Sequence, residues 1–339
     1  MRRASVATLL LVVLTAFLPV QARAADNGEW SVEPADSVIT PRTAFQLSAI
    51  PGATFADRAV VTNSTDGPLT LRLHVADAYN TPRDGGLAVR GEEETQRDVG
   101  TWGKPEHDVV TVPAHASVTV PFTLTVPADA PPGDHVGALV AVDDRVQPGA
   151  GSFIGVRRAV GARIYLRVEG PQRPALAVEG LRLTTRNPPV PGTGDSSTTV
   201  SFTLHNTGNV KLDPRATLRV GGIRVGGPAT KQLTNVPAEL LPGEKVQVTE
   251  GWEGAPSGWG EVTVTATANG ADATGSVGFL DLPWILLGAV LALLAGGSAV
   301  LVVRRRRRGG RGRTGARPAA GRARRRQGPP RSPRKPLVA

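Results

Sequence analysis

Residues 118–126 read V-T-V-P-F-T-L-T-V: Val118, Val120, Phe122, Leu124 and Val126 alternate with Thr119, Pro121, Thr123 and Thr125. Successive side chains of a strand point to opposite faces, so this pattern gives one face to a core and the other to water, as in an antiparallel sheet. The same period of two recurs at Leu69, Leu71, Leu73 and Val75, at Ile164, Leu166 and Val168, at Val200, Phe202 and Leu204, and at Val262, Val264 and Ala266. Turn residues separate the runs: Pro51-Gly52, Asp66-Gly67-Pro68, Pro131-Pro132-Gly133-Asp134 and Pro242-Gly243-Glu244. No convincing amphipathic helix lies between Trp30, a candidate core anchor, and Phe279. Many short strands with regular turns predict an all-β ectodomain of two tandem immunoglobulin-like β-sandwiches.

An internal repeat supports the count of two. Val61-Thr62-Asn63-Ser64-Thr65-Asp66-Gly67 resembles Leu204-His205-Asn206-Thr207-Gly208-Asn209, each a strand ending in Asn before a hydroxyl residue and a Gly-containing turn. Further on, Val112-Pro113-Ala114 precedes a strand as Val236-Pro237-Ala238 does. The first sandwich is placed at 25–170 and the second at 171–280, divided at Gly170-Pro171-Gln172-Arg173-Pro174 because 157–168 reads as a closing strand of the first.

Outside the strands, residues 284–303 (W-I-L-L-G-A-V-L-A-L-L-A-G-G-S-A-V-L-V-V) carry no formal charge and are followed by Arg304, Arg305, Arg306, Arg307 and Arg308. About 20 apolar residues at about 1.5 Å each span the hydrocarbon core of a bilayer. A single transmembrane α-helix at 283–303 is expected, with Trp284 at one interface and the arginines holding the other end in the cytoplasm. Its Gly288, Ala292 and Gly296 form a small-residue stripe at four-residue spacing. At the other end, Arg2-Arg3, an apolar run and Ala22-Arg23-Ala24 read as a signal peptide over 1–24, with Ala22 and Ala24 at the cleavage site. The strands would then lie outside a single-pass cell membrane. Pro283 follows Phe279 so closely that the second sandwich is expected near the membrane, with Trp252 and Trp259 as candidate membrane-proximal aromatics.

Charge is divided the same way. The 339-residue chain is formally +10, but the last 36 residues hold 14 Arg and one Lys without an acid, and residues 25–303 hold all 29 acids, for a net −8. The tail 304–339 is Arg, Gly and Pro with almost nothing apolar to bury, and reads as disordered. Its arginines suit anionic lipid headgroups; without interleaved aromatics for stacking they argue against nucleic acid. The chain has no cysteine, which excludes disulfides, thiolate metal sites and thiol nucleophiles.

The first half also resembles a known family. Trp30-Ser31-Val32-Glu33-Pro34, Ile50-Pro51-Gly52-Ala53-Thr54 running through 57–63, Val75-Ala76-Asp77-Ala78-Tyr79, Gly85-Gly86, Gly100-Thr101-Trp102, 109–114, Val126-Pro127-Ala128, Pro132-Gly133-Asp134-His135-Val136-Gly137 and 155–168 are similar, in order and spacing, to the WxL-interacting protein family. The likeness is to its cell-surface peptidoglycan-binding domain in an actinobacterial-type membrane-anchored form. It implies a C-terminally anchored envelope protein whose first domain binds peptidoglycan and whose second meets a protein partner or host surface. Neither Trp252-Glu253-Gly254 nor Trp259-Gly260-Glu261 makes the partner's WxL motif.

Catalytic chemistry is thinly represented. The histidines are His74, His107, His115, His135 and His205; His74 and His205 occupy polar alternation positions and are expected to face solvent. No G-x-S-x-G, H-E-x-x-H or phosphate-cradling glycine loop occurs, so no enzyme activity and no cofactor are expected. Glu92-Glu93-Glu94 and Asp143-Asp144 offer oxygen ligands for calcium, but runs of this kind are more often solvated, and no metal site is assigned. Sugar ligands favour an aromatic beside polar groups. Trp102, Asp134 and His135 are the ligand-binding candidates, Trp102 reading equally well as a plug at one end of the sandwich. The expected function is a non-enzymatic cell-envelope protein binding peptidoglycan and/or a surface protein. The alternative is a single-span signalling or assembly protein whose basic tail recruits a cytoplasmic or anionic-lipid partner.

Overall fold

The computed structural model describes residues 26–36, 42–145, 147–148, 155–188, 194–225, 230–253, 257–281 and 284–309. The leader with Ala22 and Ala24, and the tail from 310 onward, lie outside the described residues.

The first sandwich is built from β1 (Trp30–Pro34), β2 (Phe45–Ala49), β3 (Thr54–Asn63), β4 (Leu69–Asn80), β5 (Leu87–Val89), the one-turn α1 (Val99–Trp102), β6 (Gly103–Pro105), β7 (Val109–Val112), β8 (Ser117–Thr125), β9 (Gly133–Asp143), the short pair β10 (Gln147–Pro148) and β11 (Gly155–Val156), and β12 (Ala159–Val168). One sheet runs β1-β3-β8-β6 and the other β2-β12-β9-β4, with β5 and β7 both pairing β4. All pairings are antiparallel except β2 with β12. The apolar positions of residues 118–126 do face the core: Val120, Phe122, Leu124 and Val126 are buried there with Trp30, Leu71, Leu139 and Ile164. Phe45 of one sheet meets Phe122 of the other edge-on, ring centroids 4.9 Å apart.

The second sandwich comprises β13 (Leu176–Arg186), β14 (Ser197–Asn206), β15 (Arg215–Val225), β16 (Thr230–Gln232), β17 (Lys245–Glu253), β18 (Ser257–Ala268) and β19 (Ala271–Asp281). Its sheets run β13-β14-β17 and β16-β15-β18-β19, all antiparallel. A separate core contains Phe202, Leu204, Leu212, Leu218, Leu240, Val248, Val262 and Val264. The protein is thus two tandem immunoglobulin-like sandwiches followed by a helix.

Both parts of the repeat correspond to one structural corner, but in a different phase from that read in the sequence. Asn63 and Asn206, 1% and 0% exposed, each end a ten-residue strand, β3 and β14. Each donates its backbone N–H to the residue just before the later partner strand, Asn63 to Ala116 and Asn206 to Glu244. The counterpart of Val112-Pro113 is therefore Leu240-Leu241 rather than Val236-Pro237, because the bridge Leu212↔Leu240 stands where Leu69↔Val112 does.

Three expectations change. The outer face of the β9–β4 sheet is not solvated: Ala76, Ala138 and Val140 are buried there, with Val89 and Val142 packed on them. His74 on that face is half-buried, and burial pushes its imidazole below the usual range, with the Glu92 charge opposing and Arg72 adding to the shift. His205 is half-buried too, its Nδ1 2.8 Å from Glu179 Oε1. The carboxylate runs are engaged with arginine: Arg72 bridges Glu92 at 3.2 Å and Asp144 at 2.5 Å, and buried Asp143 pairs Arg145 at 2.8 Å.

Apart from the sandwiches, α2 (Trp284–Gly309) contains Leu287–Arg307, which is long and apolar enough to cross a membrane. The helix does not stop at Val303 but continues through Arg304–Arg308, contrary to a disordered tail beginning at 304. Arginine is a strong helix former and its charge suits a helix C-terminus.

Candidate functional site between the two sandwiches

Where the sandwiches meet, polar groups are matched across the joint. Asn80, 1% exposed, donates from Nδ2 to the Glu239 carbonyl at 2.9 Å and accepts the Leu241 N–H at 2.8 Å. Gln247 N–H donates to the Pro82 carbonyl at 2.7 Å, and Asp134 N–H to the Asn209 carbonyl at 2.8 Å. Asn209 returns a bond from Nδ2 to the Pro132 carbonyl at 2.7 Å. Gly133 sits at φ 136, and a Cβ there would lie 2.1 Å from the Asn209 carbonyl oxygen, so this close approach requires glycine. Asn80 and Leu241 are both buried, so breaking their bond leaves an unsatisfied buried donor or acceptor.

Two depressions flank this joint and share Asp134, His135 and Val136. The larger, about 600 Å³, has Leu47, Val136 and Leu166 among its lining and Gln46, Ser48, Tyr165, Arg167 and Lys211 around them. The smaller, about 440 Å³, is lined by Asp98, Arg90, Arg97, Glu244 and the Pro131-Pro132 turn among others. Strand alternation sends neighbours Asp134 and His135 into different networks. Asp134 accepts a two-point bond from Arg167, 2.6 Å from Nε and 2.9 Å from Nη2, and the Lys211 N–H at 2.8 Å. Glu239 accepts from the Tyr165 hydroxyl at 3.1 Å and lies 3.4 Å from the Lys211 ammonium, which stands 5.4 Å over the Tyr165 ring. Burial raises the Tyr165 phenol above its ordinary value, the Glu239 charge adding to the shift. Burial of Lys211 opposes its charge, but Asp213 and Glu239 outweigh it and its value is raised.

His135 is 8% exposed. Its Nε2 lies 2.9 Å from the Pro131 carbonyl and its Nδ1 3.3 Å from Asp98 Oδ1. Both ring nitrogens face acceptors, an arrangement that the doubly protonated imidazolium satisfies. Burial works against that charge, yet Asp98 and the Pro131 carbonyl outweigh it and hold the imidazole above its usual range. Asp98 is held in turn by Asp77, whose carboxylate accepts the backbone N–H groups of Arg97, Asp98 and Gly100 at the start of α1.

The three candidate ligand residues are therefore partly brought together. Trp102, at the end of α1, tilts 53° against the His135 ring with centroids 4.8 Å apart. It is half-buried against the first core and lines neither depression, which makes it a plug at the sandwich end supporting His135 rather than an exposed stacking platform. Asp134 and His135 do line both. Sequence reasoning missed Gln46, Ser48, Tyr165, Arg167, Lys211 and Glu239; Tyr165 and Arg167 flank Leu166 in a strand already read as alternating, but only the second sandwich makes that outer face a groove. Among the described residues no cluster of three or more His, Asp or Glu could hold a metal ion.

No family model matches the chain, and no curated protein matches it. Solved structures similar to it include the class 5 fimbriae chaperone CfaA (14% identity over 70% of this chain and 95% of that one, TM-score 0.33). The YadV chaperone has 11% identity over 74% and 100%, TM-score 0.32, and the Pseudomonas aeruginosa CupB2 chaperone 10% identity over 70% and 97%, TM-score 0.30. TM-scores this low carry nothing across to this chain, and its fold is assigned from its own strand order and two cores.

Proposed function

We propose that the protein is a non-enzymatic component of the cell envelope, held by one membrane span with its sandwiches outside and its arginine-rich end inside, as in the WxL-interacting family it resembles. It binds peptidoglycan or a surface protein through the groove between the sandwiches. The observation that carries this reading is the lining of that groove. The half-buried Tyr165 offers an apolar ring surface for the C–H face of a sugar, and the exposed Gln46, Ser48 and Arg167 ring it with hydrogen-bonding groups. His135 is committed to Asp98 and Pro131 and Tyr165 to Glu239, which suits recognition rather than activation of a nucleophile. Arg304–Arg308, at the C-terminal end of the apolar helix, suit anionic headgroups on the cytoplasmic side.

Sedimentation of the detergent-solubilised full chain with purified cell walls tests the ligand. Wild type is retained, and Ser48→Trp, which fills the groove from an exposed strand position, reduces retention at least tenfold. Absence of retention, or equal retention of Ser48→Trp, contradicts groove binding of the wall. Orientation is read separately by maleimide labelling of intact cells, with single cysteines introduced at Thr274 and beyond residue 311. Only the first should react.

A further inference from the structure

Four large apolar side chains of the described strands and their connections are exposed: Ile50, Val109, Trp259 and Leu280. Ile50 and Val109 stand singly, as is ordinary for a surface. Trp259 and Leu280, 57% and 69% exposed, are directly opposite each other in the β18–β19 pairing, so they form one cross-strand apolar pair on the outer face of their sheet. Further along this hairpin the outward residues Glu261, Thr265 and Thr267 on β18 and Asp272, Thr274 and Ser276 on β19 are polar and exposed. The apolar character is thus confined to the last rungs of the hairpin, at the end where the chain leaves the sandwich.

That end has a fixed reach. Asp281 closes β19 and Trp284 opens the apolar helix, and three residues extend at most about 10 Å. The polar interfacial layer on each side of a bilayer's hydrocarbon core is several ångströms deep, and tryptophan prefers it because its ring is apolar and its N–H polar. We infer that Trp259 and Leu280 form a membrane-seating patch that dips into the lipid interface and holds the second sandwich against the bilayer. The occupant is lipid, since the chain allows at most about 10 Å between the end of this strand and the first residue of a helix that spans the bilayer. The inference rests on the membrane-span reading.

The test uses the full chain reconstituted into vesicles of phosphatidylcholine and phosphatidylglycerol, in a Trp284→Phe background that removes the helix tryptophan. Trp259's share of the emission is the difference between this protein and its Trp259→Phe derivative. Brominated phosphatidylcholine should quench most of that share and aqueous acrylamide little of it, and Leu280→Glu should reverse the two. Acrylamide quenching with no effect of brominated lipid, in protein that floats with the vesicles, overturns the patch while leaving the span intact. Protein that fails to float overturns the span reading, and the patch with it.

Discussion

Asn63 and Asn206 hold the same corner of their sandwiches by the same means. Asn63 Nδ2 donates to the carbonyls of Gly67, Val112 and Pro113, and its Oδ1 accepts the Thr65 N–H. Asn206 Nδ2 donates to the carbonyls of Val210 and Leu240, and its Oδ1 accepts the Gly208 N–H. The surroundings differ. The first corner ends in solvent, where exposed His115 meets exposed Asp66 at 2.9 Å. The second continues into Asn209, Glu239 and Leu241, the groups that meet Pro132, Tyr165 and Asn80 of the first sandwich. A turn that each sandwich needs for its own closure serves, in the second copy, as half of a joint.

The largest expected effect comes from removing either asparagine. Asn63→Ala removes a donor from three carbonyls and the acceptor of the Thr65 N–H, Asn206→Ala a donor from two carbonyls and the acceptor of the Gly208 N–H, and each should cost about 3 kcal/mol in its own sandwich. Strand-resolved hydrogen exchange under urea should show Asn206→Ala also loosening the joint amides of Leu241 and Asp134, and Asn63→Ala leaving them protected. Equal spread of both defects would erase the distinction between the corners. Next is Asn80→Ala, which leaves the Leu241 N–H without its partner and should weaken the joint by about 2 kcal/mol while sparing both cores. Separation of a single urea transition into two is the expected readout.

A smaller effect depends on pH. His135 has its folded value raised, so its contribution to stability is fully present below the ordinary histidine range and is lost as pH rises through the folded value. Stability measured against pH for wild type minus His135→Gln should fall across that window. His74, whose value is lowered and which acts with opposite sign, cancels in the difference. A flat difference would show that Asp98 and Pro131 do not hold an imidazolium.

The smallest effects compare the two turns directly. His115 at φ 51 and Gly243 at φ 76 precede the same partner strand in the two corners, and a Cβ on Gly243 would meet nothing within 4 Å. Gly243→Ala therefore tests backbone conformation alone and should cost about 1 kcal/mol. His115→Gly should change stability by less, relief of the left-handed conformation being offset by a more flexible unfolded chain and loss of the exposed contact with Asp66. Thermal melts of the two variants give the order.

The strands and both corner asparagines were legible because alternation and turn residues are local signals. The covered outer face was not read, although 136–142 (V-G-A-L-V-A-V) carries its mark: a strand buried on both faces loses its alternation. The phase of the repeat was misread because a Val-Pro-Ala match outweighed the spacing from the turn to its strand. Of the site, Asp134 and His135 stood out through their turn, while Trp102 drew notice for being aromatic and proved to be packing. Gln46, Tyr165, Arg167, Lys211 and Glu239 were silent because the groove exists only where the sandwiches dock, and no local pattern encodes that contact.

If the joint holds the two sandwiches as one body, the groove stays open at a fixed width. The chain contains no cysteine, so spin labels can be placed uniquely at exposed Thr123 and Thr265, one on each sandwich. Double electron–electron resonance on the full chain should give one narrow distance distribution that broadens when Asn80 and Asn209 are both replaced by alanine. A broad distribution with the joint intact would contradict the account.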